Sequence, residues 1–121
     1  HTDKAPKAIG PYSQAVKAGN MLFVSGQVPF NPETMEIVEG GVKEQTAQSL
    51  RNVEAILKEV GLDFSNVVKS TVFIKDMNEF AQINEVYSEF FKENNPARAC
   101  VEVARLPRDA RVEIEVIAVF E

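Results

Sequence analysis

The stretch Met21-Leu22-Phe23-Val24 reads as a β-strand that is apolar at every position, so both faces of the sheet it joins must be covered. The chain has little to cover them with. Helical periodicity occurs in two places only. From about Val42 to Val60, Leu50, Val53, Leu57 and Val60 fall on one helix face, and Gly61 is a good C-terminal stop. A second helix is predicted after Asp76, where Asp76 and Glu79 have N-cap and N3 spacing. It runs to about Glu93, before the Asn94-Asn95-Pro96 break. Two helices make one layer. The other sheet face then falls to a second sheet, most cheaply from another copy of the chain.

The remaining segments read as strands and turns. Ser13–Ala18 and Met21–Val28 are joined by Gly19-Asn20, a pair that supplies positive φ. Asn31-Pro32-Glu33-Thr34 is a turn, followed by a third short strand at Glu36–Val38. Val67–Ile74 is β-branched and strand-like. The last pair, about Arg98–Arg105 and Val112–Phe120, is joined by Leu106-Pro107-Arg108-Asp109. The predicted order is β-β-β-α-β-α-β-β, an α+β sandwich with two helices on one sheet face. At 121 residues the chain is one domain, residues 1–121, with a single two-layer core.

Composition narrows the chemistry. A net charge of −5 argues against a general nucleic-acid binder, which would carry a basic face. No apolar run approaches the roughly 18 residues of a transmembrane helix, and no N-terminal stretch resembles a signal peptide. Cys100 is the only cysteine, so no disulfide forms within the chain, and the cytoplasm is the expected compartment. With His1 the only histidine, neither a His/Cys zinc site nor a Ser-His-Asp triad is available. Catalysis would have to come from Arg, Glu, Asp, Tyr, backbone groups and water.

Arg98 is the residue that most needs explaining. It heads a strand in which Ala99, Val101 and Val103 alternate with Arg98, Cys100 and Glu102. In the last strand Val112, Ile114, Val116 and Ala118 form an apolar row, with Glu113 and Glu115 opposite. If both apolar rows point at the helices, Arg98, Cys100, Glu102 and Glu113 share the other face, the one expected to meet a second copy. A guanidinium there must find an anionic partner or remain wet. Arg98 is therefore either half of a structural ion pair, with Glu102 or Glu113, or the anchor of an anionic ligand. The other candidates are equally double. Glu113 reads as a solvated strand residue or an active carboxylate, Cys100 as a small buried hydrophobe or a site residue, and Tyr12 as a packing lid or a pocket wall. Asn84, at the edge of the Phe80, Tyr87 and Phe91 stripe, serves a nearby loop or a pocket. The spacing itself suggests a carboxylate-binding pocket.

Beyond spacing, four separated motifs stand in order. They are Ala8-Ile9-Gly10-Pro11-Tyr12-Ser13-Gln14-Ala15, Phe23-Val24-Ser25-Gly26-Gln27, Thr71-Val72-Phe73-Ile74-Lys75-Asp76-Met77, and the run from Pro96 to Pro107 followed by Val112-Glu113-Ile114-Glu115. Together they resemble the Rid/YjgF family of imine/enamine deaminases, also called L-PSP-type endoribonucleases. The resemblance implies a chorismate-mutase-like two-layer sandwich with a mixed sheet, and a homotrimer with three active sites in clefts between subunits. It implies hydrolysis of reactive 2-imino or enamine acids, of the 2-aminoacrylate and 2-aminocrotonate type, to 2-keto acids and ammonia. No metal and no cofactor are implied. Carried onto this chain, Arg98 would bind the substrate carboxylate, Glu113 would orient water and Tyr12 would close the pocket. Backbone groups around Gly26 and Cys100 would hold the imine nitrogen or the water, and Asn84 would hydrogen-bond at the edge. Two departures stand out: the segment Phe91–Pro96 is shorter than in many relatives, and Ala99 stands where serine is common. Two other functions fit less well. One is a non-catalytic module that senses 2-keto acids or similar carboxylates. The other is a ribonuclease or translation inhibitor, which the acidic charge disfavours, so nucleic acid is not the expected partner and neither is a membrane.

Overall fold

The computed structural model describes all residues, His1–Glu121. Five strands and two helices follow in the order β1 (Ala15–Ala18), β2 (Met21–Gln27), α1 (Val42–Glu59), β3 (Val67–Ile74), α2 (Phe80–Phe90), β4 (Ala97–Glu102) and β5 (Val112–Val119). They form one mixed sheet of order β1-β2-β5-β3-β4, in which only β3 and β4 run parallel. That pair needs a crossover, and α2 supplies it. The architecture is the expected α+β one.

Local chemistry explains most boundaries. Gly19 takes φ 60° in the β1–β2 turn. Helix α1 ends in a Schellman motif: Gly61, at φ 78°, donates to the Lys58 carbonyl, and Leu62 N–H donates to Leu57 at 2.9 Å. Val60 therefore lies past the helix, and it is exposed rather than part of the apolar stripe. Asp76 does act as a cap, but of a short 3-10 turn, Met77–Glu79, accepting from Asn78 N–H at 2.9 Å. Glu79 turns instead to Arg111, which it meets at 2.8 Å. Helix α2 stops at Phe90, short of the predicted Glu93. The third short strand does not form. Asn31 Oδ1 accepts from Glu33 N–H at 2.8 Å and Met35 sits at φ 59°, so the segment coils through a turn and leaves one bridge between Phe30 and Ile37.

The core lies between the sheet and the helices. Leu50, Val53 and Leu57 of α1 and Ile83 of α2 pack on Leu22 and Val24 of β2, Val72 and Ile74 of β3, and Val112, Ile114 and Val116 of β5. The β5 row points at the helices as expected. The far face of the sheet carries a smaller cluster, Val28, Phe30, Leu106 and Ala110, with Phe73 and Val103 against it. Elsewhere that face is open: Phe23 is 41% exposed and Val101 42%.

The last two strands are not neighbours, because β3 lies between them. Register then overturns the expected sharing of a face. Arg98 pairs with Ser70, Cys100 with Val72 and Glu102 with Ile74, all helix-facing positions of β3. Glu113 pairs with Phe73, three residues on from Ser70 and therefore on the opposite face. Arg98, Cys100 and Glu102 face the helices, whereas Ala99 and Val101 face outward. The apolar row of β4 points away from the helix layer because the far face is itself partly apolar, while α2 offers Asn84 to Arg98 and the turn before it offers the Met77 N–H to Glu102.

Candidate active site

The residues singled out from the sequence fall into two groups on opposite sides of the sheet. The first is built at the edge strand β4 and helix α2. Arg98 Nη1 donates to Asn84 Oδ1 at 2.7 Å, and its Cζ lies 4.8 Å from the Tyr87 ring centre and 5.5 Å from that of Phe80. Asn84 is thus an acceptor fixed one helical turn before Tyr87, and the helix spacing explains how both reach the same guanidinium. No ion pair of the structure involves Arg98. Glu102, one possible partner, is occupied capping the Met77 N–H at 2.8 Å, and Glu113 is across the sheet. The guanidinium borders a cleft of about 330 Å³ formed with Asn84, Tyr87, Ser88, Asn95 and Pro96. Cys100 packs against the main core, and burial pushes its thiol pKa up, against the opposing pull of the Arg98 charge. A thiol so placed stays protonated and is a poor nucleophile.

The second group surrounds Glu113. Its carboxylate lies so close to β2 that a Cβ on Gly26 would come within 2.0 Å of Oε2. Gly26 sits where the β2–β5 register slips between Val24 and Gln27, and the missing side chain admits the acid. Burial, and secondarily the Glu115 charge, raises the Glu113 pKa above the ordinary carboxylate range. Tyr12, Gly26, Arg108, Glu113 and Glu115 line a cleft of about 680 Å³ with apolar walls that include Ile9 and Phe30. Tyr12 is half-exposed at its mouth.

Four residues were not singled out from the sequence. Gln14 ties the lead-in to the sheet: its Oε1 accepts from Thr2 N–H at 2.8 Å and its Nε2 donates to the Pro6 carbonyl at 2.9 Å. A glutamine just after the Gly10-Pro11 turn was the available clue. Tyr87 was visible only as a member of an apolar stripe. Arg108 and Asp109 both adopt positive φ, 56° and 57°, in a turn clasped by the Arg105–Asp109 ion pair at 2.7 Å, a geometry no spacing rule reveals. The chain assembles no group of three or more His, Cys, Asp and Glu side chains that could hold a metal ion. No helix is long and apolar enough to cross a membrane.

A mixed sheet with two helices on one face, an unpaired arginine and a half-buried glutamate define a class, and the relatives define the family. Residues 2–120 match the family described as "Endoribonuclease L-PSP". A RutC family protein of Pyrococcus abyssi is 58% identical over 120 residues, covering 99% of this chain and 94% of that one. The 2-iminobutanoate/2-iminopropanoate deaminase of Escherichia coli K12 is 55% identical over 121 residues, covering 98% and 94%. Among solved structures, E. coli TdcF with bound serine superposes with a TM-score of 0.96 at 52% identity, covering 100% of this chain and 97% of that one. The E. coli YjgF gene product gives 0.94 at 52% identity, covering 99% and 96%. The chain belongs to this L-PSP family, the RutC/YjgF group of its relatives.

Proposed function

We propose that the protein is a hydrolytic deaminase that converts reactive 2-imino acids, and the enamines in equilibrium with them, to 2-keto acids and ammonia. The observation that carries this reading is the state of Arg98. A permanently charged side chain is held by a neutral amide and two aromatic faces, with no carboxylate of the chain beside it. Its remaining N–H groups suit the carboxylate that every 2-imino acid bears, each charge-assisted bond contributing about 1.5–3 kcal/mol. The deaminase name of a relative at 55% identity, and the serine bound by TdcF, support the same substrate class.

The chemistry then needs one placed water. With its nitrogen protonated, the imine carbon is electrophilic. Glu113, ionised, takes a proton from the water as its oxygen bonds to that carbon. The proton passes to the amino group of the resulting carbinolamine. Glu113 then takes the hydroxyl proton as the C=O bond forms and the C–N bond breaks with its electron pair leaving on nitrogen, and ammonia and the keto acid are released. Backbone groups at Gly26 orient the water, and Tyr12 closes the cleft over it. Because such imines hydrolyse unaided, positioning supplies much of the acceleration.

Arg98 and Glu113 of one chain cannot meet on one small acid, since they project from opposite sheet faces. The proposed assembly is a homotrimer in which the Arg98 edge of one subunit closes on the neighbour's Glu113 cleft. The open apolar positions Phe23 and Val101 support burial of that face against another copy. Coupling the protein to a threonine dehydratase and following 2-ketobutyrate release tests the activity. Acceleration over the spontaneous rate that vanishes in Arg98→Ala is expected. An undiminished rate in that variant would sink the proposal.

A further inference from the structure

Arginine side chains are long and flexible, and bidentate capture of a carboxylate requires the guanidinium plane to be set before the ligand arrives. Asn84 fixes one nitrogen, which still leaves rotation about that contact. What stops the rotation is aromatic. The Tyr87 ring lies beneath Cζ at 4.8 Å, and it stacks on Phe91, with centroids 4.5 Å apart and planes 24° from parallel. Phe91 in turn meets Phe64 edge-on at 4.9 Å. Phe91 and Phe64 are buried at 4% and 8% exposure, so this column is anchored in the core.

The Tyr87 hydroxyl takes no evident part. It is buried beside Ser70 Oγ, which opposes the rise in pKa that burial causes, but the two hydroxyls do not meet in good hydrogen-bond geometry. A tyrosine kept for its hydroxyl would have a well-aligned partner. One kept for its ring need not.

We propose that Tyr87 is a positioning residue for the carboxylate anchor, its ring, braced by Phe91 and Phe64, holding the plane of the Arg98 guanidinium with its outer edge presented to the ligand. This rests on the reading of Arg98 as a carboxylate anchor. Tyr87 acts through Arg98 alone, and a carboxylate is held alike in the ground and transition states. Its loss therefore raises KM and leaves kcat nearly unchanged. Preorganisation of this kind improves affinity by removing an ordering cost at the moment of binding.

Calorimetry with 2-ketobutyrate on the wild type, Tyr87→Phe and Tyr87→Leu, together with turnover, provides the test. Tyr87→Phe keeps the face and should bind within about twofold of wild type, whereas Tyr87→Leu should bind about tenfold more weakly with kcat within about twofold. In the ¹H–¹⁵N spectrum the Arg98 Nε–H resonance should be displaced by ring current from those of Arg51, Arg105, Arg108 and Arg111, in wild type and Tyr87→Phe but not in Tyr87→Leu. Unchanged binding in Tyr87→Leu, or an equal loss in Tyr87→Phe, overturns the proposal while leaving the carboxylate reading intact. A wild type that binds no 2-keto acid overturns both. Should Tyr87→Leu fail to fold, the wild-type resonance decides, and an undisplaced Arg98 signal refutes the stack.

Discussion

Around Arg98 the contacts that fix the group are side chains of α2, an amide and two aromatic rings, whereas Glu113 lies where a side chain on Gly26 would be, beside bare backbone. The first arrangement fixes the direction of a cationic group. The second takes an acid partly out of water and leaves its protonation adjustable, because burial and Glu115 both favour the neutral form. One half is suited to hold a ligand and the other to move a proton. The two halves should therefore fail differently when altered.

The largest effect is expected at the anchor. Arg98→Ala removes two charge-assisted bonds, worth about 1.5–3 kcal/mol each, and should lower kcat/KM by roughly 10²–10⁴ without unfolding the chain. Calorimetry should show the loss in 2-ketobutyrate affinity itself. Glu113→Gln should instead keep that affinity while kcat falls by roughly 10²–10⁴. A binding-only protein would show no turnover to lose. The same variant carries a stability sign. The folded pKa of Glu113 is raised, so below the unfolded pKa both states bind the proton. As pH rises past that value the unfolded state gives up its proton first, and stability falls until the folded pKa is passed. Above the unfolded pKa Glu113 is therefore a net cost, and Glu113→Gln should melt no lower than wild type.

Gly26→Ala sharpens the contrast further. Its Cβ would displace the flexible end of Glu113, at 2.0 Å, rather than backbone. Stability should change by less than about 1 kcal/mol, whereas kcat should fall roughly ten- to a hundredfold with binding at Arg98 retained. Gln14→Ala frees the lead-in that carries Tyr12 and should cost about 1–3 kcal/mol in denaturant unfolding, with a smaller loss of rate. Smallest of all, Glu115→Gln removes the minor of the two causes that raise Glu113. It should move the acid limb of the kcat/KM profile slightly downward in pH.

The sequence was a better guide to segments than to faces. Both helices and β3 are where periodicity puts them, since 3.6- and two-residue patterns survive any tertiary arrangement. Glu36–Val38 was too short to outcompete its turn. The side to which Arg98 points was misread because hydrophobicity decides a face only when the other face is polar. Here Ala99 and Val101 look out on a partly apolar surface, and Arg98 and Glu102 turn in to meet Asn84 and the Met77 N–H. Only the parallel register with β3 reveals this, and register between strands separated by a helix is not written in local spacing. The residues that gather at the two clefts were legible one by one. That Arg98 and Glu113 belong to opposite sides of the sheet was not.

That opposition makes subunit mixing the most direct test. Arg98→Ala and Glu113→Gln subunits, each inactive alone, are unfolded together and refolded at equal ratio. If each site takes Arg98 from one subunit and Glu113 from its neighbour, every trimer that contains both kinds of subunit regains one complete site, about a quarter of all sites, and deaminase activity returns in that proportion. A mixture as inactive as its parents would contradict a site shared between copies.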